Sequence, residues 1–359
     1  MAAYTTIDDP SAHFKVQLYT GNGSANHAIT FDDTDTDMQP DLVWIKNRDQ
    51  TDSWQCFDSV RGVGNSIQLD VDSEGEISDA DTLDAFQSDG FRVDADVKVN
   101  TNTENYVAYC WKAGTTSGIA TDGSTTITPT AYTFNTTAGF SVVKYTGNYT
   151  ADAGVAHGLG ANLDFAINKT YGGTYEARQS IVYHRSIGSE KPMDIKTPLA
   201  PQTTDGYFTT TEPTSVNIFL KTSNENNEDG GEEIFFWSWA SIQGYSKVGG
   251  SYVGNGSADG PFVYLGFRPA FLMTKRTDST NGWRIRDNKR DPINPAQTRL
   301  YADTADTEQA NDNDIDWLAN GFKLRETGAG ENASGGTYVY MAFAEAPFVN
   351  SNGVPCNAR

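Results

Sequence analysis

Cysteine and histidine are scarce in this sequence, which has three cysteines and four histidines in 359 residues. Three cysteines cannot all pair within one chain, and their irregular spacing predicts no disulfide framework. The histidines stand singly, without the spacing of metal ligands, so no zinc site is predicted. The fold therefore has to come from apolar burial rather than from covalent or metal crosslinks.

Basic residues and long apolar runs are also few. The chain has 26 Lys and Arg against 47 Asp and Glu, a formal net charge of −21. Nucleic-acid binding needs clustered basic residues, so nucleic acid is not a predicted partner. The longest apolar stretches run to about seven residues, too short for membrane insertion. The N-terminus lacks the features of a signal peptide, which predicts synthesis in a cytoplasm without ordinary export.

Thr, Gly, Asn, Asp and aromatic residues are abundant, and short apolar runs alternate with turn residues. This composition is typical of all-β proteins. Four landmarks also recur in the same order, three times. They are a Tyr-x-Gly-Asn turn (Tyr19, Tyr145, Tyr252), a strand ending in lysine (Lys46, Lys169, Lys275), a turn before an aromatic residue (Gly90, Gly206, Gly321) and an aromatic strand ending at Trp111, Trp239 or Phe343.

The repetition predicts an all-β chain of three tandem β-sandwich or jelly-roll-like repeats with few short helices. The first repeat spans 1–114 with a short N-terminal arm, the second 138–242 and the third 243–347. A linker at 115–137 predicts more freedom for the first repeat, and residues 348–359 form a C-terminal tail. The sequence leaves open whether the repeats are separate domains or one fused pseudo-threefold body.

One short helix per repeat is predicted before the turn that precedes the aromatic residue. Leu83 and Phe86 share helical spacing within residues 79–87, and Ser78 is a candidate cap. Residues 314–318 occupy the equivalent place in the third repeat. The Gly-Asn pairs themselves predict turns that need positive φ.

The acidic loop at residues 70–81 has the spacing of a calcium loop of the EF-hand kind, with Gly75 at its sixth position. The candidate ligands are Asp70, Asp72, Glu74, Glu76 and Asp81. Against calcium, the twelfth position is Asp instead of Glu, and the other repeats do not reproduce the loop. The sequence favours a solvated acidic loop, with calcium as the alternative and no cofactor required.

The tryptophans have two possible roles, in the core or in exposed glycan contacts. Trp111 and Trp239 occupy one equivalent position, with Phe343 in the third repeat, and a thrice-repeated aromatic within a strand predicts core. Trp54 and Trp283 sit in polar surroundings and are the candidates for exposed glycan contacts. No nucleophile elbow, phosphate loop or dinucleotide fingerprint occurs, and no catalytic residue is assigned.

Several of these segments resemble a repeat family of tailed bacteriophages, mostly from marine phages, described as virion structural or tail-fibre-like proteins. The resemblance is carried by Leu18-Tyr19-Thr20-Gly21-Asn22-Gly23, Asp41-Leu42-Val43-Trp44-Ile45-Lys46, Asp58-Ser59-Val60-Arg61-Gly62 and Tyr106-Val107-Ala108-Tyr109-Cys110-Trp111. It is strong over 4–114 and eroded over 138–344. The second repeat has Tyr183-His184-Arg185-Ser186-Ile187-Gly188 where the first has its Asp-Ser-Val-Arg-Gly segment.

The resemblance implies a non-enzymatic structural protein on the exterior of a phage particle, as a capsid decoration, head fibre or short tail appendage. Its partners would be other virion proteins of the capsid or tail, and a homo-oligomer is expected, with a trimer favoured by analogy. A tail adhesin that binds host-surface glycan is the alternative, and a polysaccharide depolymerase is the third hypothesis. Loss of glycan binding on replacing Trp54 or Trp283 would favour the adhesin.

Overall fold

The computed structural model describes residues 3–31, 36–72, 75–172, 179–203, 206–228, 231–310 and 315–355. Strands dominate throughout, and the predicted all-β fold of sandwich-like repeats is confirmed. Within the described ranges, no helix has the length and apolar character needed to cross a membrane.

The first repeat pairs a six-stranded sheet with a three-stranded one. A 3₁₀ turn (Pro10–Ala12) precedes it, and one helical turn, α1 (Val97–Asn100), precedes its last strand. The large sheet has the order β1 (Phe14–Thr20), β9 (Asn105–Trp111), β3 (Leu42–Asn47), β4 (Gln55–Asp58), β5 (Asn65–Ile67), β6 (Ile77–Ser78). The small sheet has the order β2 (His27–Thr30), β8 (Gly90–Val93), β7 (Leu83–Gln87).

The second repeat also has one six-stranded and one three-stranded sheet. Its large sheet has the order β11 (Ala131–Asn135), β12 (Phe140–Thr146), β18 (Glu233–Trp239), β14 (Phe165–Gly172), β15 (Ile181–His184), β16 (Met193–Asp194). Its small sheet has the order β10 (Thr125–Ile127), β13 (Ala153–Ala156), β17 (Asn217–Leu220). Because β10 and β11 lie within 115–137, this segment is packed onto the second repeat.

The third repeat follows directly. Its large sheet has the order β19 (Ser246–Val253), β26 (Thr337–Pro347), β21 (Phe267–Arg276), β22 (Arg284–Asp287), β23 (Leu300–Tyr301). Its small sheet has the order β20 (Phe262–Tyr264), β25 (Gly321–Leu324), β24 (Ile315–Leu318). Trp111, Trp239 and Phe343 pair across their sheets with Leu42, Phe165 and Phe271 respectively, so one register relates all three repeats.

Alternate residues of each large sheet face two different cores. In β3, Val43 and Ile45 face the small sheet of the same repeat, whereas Leu42 and Trp44 face a central core. Both sets are buried, because each large sheet is covered on both faces. The second and third repeats show the same division between their own cores and the central one.

The central core joins all three repeats. Trp111 lies with its ring centroid 5.8 Å from that of Trp239 and 5.7 Å from that of Phe343, and all three are buried. The prediction that this aromatic position is core is confirmed. The chain is therefore one fused body in which each repeat contacts both others. The predicted freedom of the first repeat is wrong, because its Phe14 stacks on Phe343 at 4.8 Å.

The predicted helices before the Gly-aromatic turns are wrong. Residues 79–87 end in strand β7, and the described part of residues 314–318, which begins at 315, forms β24. A β-bulge between Leu83 and Ala85 explains the helical spacing, because Leu83 then pairs with Val93 and Phe86 with Phe91 on one face. An i,i+3 pair can therefore arise from a bulged strand.

Candidate functional site

The repeated Tyr-x-Gly-Asn turn is held by a buried asparagine in each repeat. Asn100, Asn227 and Asn332 each accept the backbone N–H of the turn asparagine through their side-chain oxygen, at 2.8, 3.0 and 2.8 Å. The turn tyrosine donates its hydroxyl to the carbonyl immediately before that buried asparagine, at 2.7–2.9 Å in all three copies. These two hydrogen bonds join the turn to the segment before the last strand of the repeat, and we call this arrangement the turn lock.

The first glycine of this turn is required because there is no room for a Cβ atom, and not because its φ is positive. A Cβ at Gly21 would overlap the carbonyl oxygen of Thr101, and the same holds for Gly147 and Gly254 against their facing carbonyls. Positive φ occurs two residues later, at Gly23 (65°) and Gly256 (65°). The predicted positive φ is thus placed wrongly by two residues.

Trp54 and Trp283 are buried, with exposed fractions of 0% and 1%, so their predicted exposure is wrong. Their indole nitrogens donate across repeat boundaries to Tyr301 O (2.8 Å) and Asp194 O (3.1 Å). The polar neighbours that suggested exposure belong to these boundaries. Neither tryptophan offers a ring face to a glycan.

Three of the candidate calcium ligands form hydrogen bonds or ion pairs with other protein groups. Asp70 accepts from Trp54 N (3.0 Å), Asp72 pairs with Lys196 (3.4 Å) and Glu76 with Arg61 (3.2 Å). Glu74 lies outside the described residues, and Asp81 is exposed at a turn where its N–H bonds Asp79 (3.0 Å). Among the residues that are described, no three His, Cys, Asp or Glu side chains converge as a metal site.

The three strand-ending lysines are buried at the boundaries between repeats. Lys275 donates to Asn281 O (2.7 Å) and, across a boundary, to Pro198 O (3.0 Å). Burial lowers the pKa of Lys46, Lys169 and Lys275 to about 8, opposed by nearby carboxylates. Lys169 likewise reaches Val71 O of the first repeat at 3.5 Å, whereas Lys46 donates to Gln50 O within its own repeat.

An Asp-Arg-Glu network fills the boundary between the first and second repeats. Arg61 donates to Asp58 (2.7 Å) and to Glu76 (3.2 Å), and lies 5.1 Å above the ring of Phe235. Asp58 also accepts the indole N–H of Trp237 at 2.9 Å. The buried Arg61 charge is therefore neutralised by one repeat and stacked on the next.

The same network recurs between the third and first repeats. Arg290 donates to Asp287 (2.5 Å) and to Glu308 (3.0 Å), and Asp287 accepts the hydroxyl of Tyr109 at 2.8 Å. Glu308 continues to Arg48 of the first repeat at 2.8 Å. The position of Tyr109 in β9 corresponds to that of Trp237 in β18.

The boundary between the second and third repeats breaks this pattern. His184 occupies the position of Asp58 and Asp287, and Ile187 that of the arginine. His184 Nδ1 accepts the N–H of Ser186 (3.2 Å), as the aspartates accept equivalent N–H groups, and Nε2 faces Tyr340 O at 3.3 Å. Burial lowers the pKa of His184 to about 4, so the ring is neutral with its proton on Nε2.

A cleft of about 420 Å³ opens at this boundary, and we call it the 2/3 cleft. Its residues are Ser186, Ile187, Lys191, Pro201, Thr203, Ser251, Tyr252, Val253, Thr277, Thr337, Tyr338 and Val339. Thr277 and Val339 correspond to Tyr171 and Phe235, which lie beneath Arg61 at the first boundary. The cleft therefore occupies the space that an arginine fills at the equivalent boundary.

Sequence reasoning found the departure at residues 183–188 but not its consequence. The equivalence of His184 with Asp58 was visible, whereas the position of Thr277 and Thr337 beside Ile187 depends on how the repeats close around one core. The buried Asn100, Asn227 and Asn332 were missed. Their signal is an Asn five or six residues before the last strand of each repeat.

The matching family model covers residues 9–347, which includes all three repeats. No curated protein matches the chain, and no solved structure does. The chain belongs to the family described as "Domain of unknown function (DUF7483)".

Proposed function

We propose that this protein is a non-enzymatic structural component on the exterior of a tailed bacteriophage particle, contributing to a capsid decoration or a short appendage. The observation that carries the proposal is the use of the repeated motifs. Tyr19, Gly21 and Asn100, with their equivalents, lock turns, and Trp111 with its equivalents fills the central core. Residues that recur for packing suit a building module.

The surface supports the same role. A net charge of −21 favours solubility at high copy number and discourages edge-to-edge strand pairing. The sequence resemblance adds the particle context. The expected homotrimer stays a prediction, and a single chain already contributes three equivalent repeats around one core.

Quantitative mass spectrometry of purified phage particles tests this proposal. Particles would be stripped stepwise, and copies of this chain counted against the major capsid protein. Hundreds of copies retained on emptied heads would identify a decoration protein, and a few dozen or fewer leaving with tails an appendage. Absence of the chain from intact particles would overturn the proposal.

A further inference from the structure

The 2/3 cleft lies at the one described boundary between repeats that no buried arginine closes. Two boundaries are closed by a buried arginine that bonds aspartate and glutamate. At the third boundary, Ile187 cannot extend across the gap, and His184 bonds a carbonyl in place of a side chain. The same fold closes the other two boundaries with an arginine, so the repeat architecture does not by itself require an open cleft between the second and third repeats.

The described residues that line the cleft are rich in hydroxyl groups and include no carboxylate. Ser186, Thr203, Ser251, Thr277 and Thr337 are the small hydroxyl residues that line it. At the first boundary, the counterparts of Ser251, Thr277 and Thr337 are Lys144, Tyr171 and Glu233, and Lys144 pairs with Glu233. Small side chains therefore replace large ones, which creates both the space and the exposed hydroxyls.

Lys191 supplies a cation to this cleft. Its side chain is exposed, and it makes no ion pair with any residue whose placement is described. Lys144 and Lys196 of the same repeat both pair with carboxylates. Lys191 therefore places an exposed positive charge beside a cleft whose described lining has no carboxylate.

We propose that the 2/3 cleft binds a short saccharide segment that carries a carboxylate. A volume of about 420 Å³ lies within the range of small-molecule sites. Sugar hydroxyls would exchange hydrogen bonds with Ser251 and Thr337, and the carboxylate would pair with Lys191. The net charge of the protein opposes this ligand only weakly, because repulsion beyond about 8 Å is screened at physiological ionic strength.

An array of neutral and uronic-acid oligosaccharides, probed with the purified full chain, tests the proposal. Ser251→Trp should block the cleft and reduce binding at least about tenfold, and Lys191→Ala should reduce it and remove its salt dependence. Ser251 is exposed, and its counterpart Lys144 already extends above Tyr171 at 5.8 Å, so the larger side chain fits the fold.

Two control variants keep the outcome clear. Lys289→Ala removes an exposed lysine from the equivalent loop of the third repeat, and Ala258→Trp adds an exposed tryptophan elsewhere in that repeat. Both should bind as the unmodified chain does. Absence of binding to every acidic oligosaccharide, or binding that survives Ser251→Trp, would overturn the proposal. Either result would leave the structural role on the particle intact, because that role is measured by copy number.

Discussion

Asp58 of the first repeat accepts a 2.9 Å hydrogen bond from the indole of Trp237 in the second, while the same Oδ2 atom binds Arg61 at 2.7 Å. All three side chains are buried. One carboxylate therefore serves as counterion within its repeat and as acceptor for the next.

Asp58→Ala should lower the free energy of unfolding by about 3–5 kcal/mol, because Arg61 would keep a buried charge without its main partner. Urea denaturation followed by tryptophan fluorescence measures the change. Asp84→Ala is the matched control, since Asp84 pairs with Arg92 at 2.6 Å in a partly exposed pair. That pair should contribute about 0–1 kcal/mol. Equal losses for both variants would contradict the buried-network argument.

Tyr109→Phe isolates the inter-repeat hydrogen bond at the boundary between the third and first repeats. Removing the hydroxyl leaves the ring in the core but takes one donor from Asp287. The expected loss is about 1.5–3 kcal/mol, the range for a hydrogen bond to a charged group. Chemical denaturation checks it, and a change below about 0.5 kcal/mol would mean that the bond contributes nothing to joining the repeats.

Gly21→Ala should destabilise the protein strongly, because its Cβ would overlap the carbonyl of Thr101. The expected loss is at least about 1–3 kcal/mol, since the facing backbone must move. Gly123→Ala is the control, with open space around its Cβ. It should be neutral or stabilise by up to about 1 kcal/mol. Thermal unfolding compares the two, and similar melting temperatures would refute the close-approach explanation.

Asn332→Asp tests the turn lock with a nearly isosteric change. Asn332 Nδ2 donates to Ser257 O (2.8 Å) and Glu326 O (2.6 Å), so an aspartate would place an oxygen against these acceptors. A loss of about 2–4 kcal/mol is expected from the unsatisfied buried groups. The exposed Asn102→Asp should change stability by less than about 0.5 kcal/mol. Urea denaturation at neutral pH measures the free energy of unfolding of both variants. Equal losses for the two would show that the hydrogen bonds of Asn332 do not stabilise the turn.

His184 makes the stability depend on pH. Burial lowers its folded-state pKa to about 4 from 6.5, so the unfolded chain binds the proton more tightly between these values. The free energy of unfolding should therefore fall as the pH drops from about 6.5 to about 4. Comparing the chain with His184→Gln isolates this residue from other titrating groups. A stability difference that stays constant over this pH range would contradict the assignment of a buried neutral imidazole.

Sequence reasoning reached the all-β class and the number of repeats because strand periodicity and turn chemistry are local. It failed at Trp54 and Trp283 because their burial comes from the neighbouring repeat, across boundaries that the chain order does not show. The helix predicted at residues 79–87 was wrong because a β-bulge beside Leu83 gives apolar residues the i,i+3 spacing of a helix. The 2/3 cleft lies between residues far apart in sequence, so only the closed arrangement of the three repeats reveals it.

Differential scanning calorimetry of the full chain tests the central claim, that three repeats share one core and fold as one body. We expect a single transition whose calorimetric and van't Hoff enthalpies agree, because Trp111, Trp239 and Phe343 are buried against one another's repeats. Two or more separable transitions would contradict it and show that the repeats unfold as independent domains.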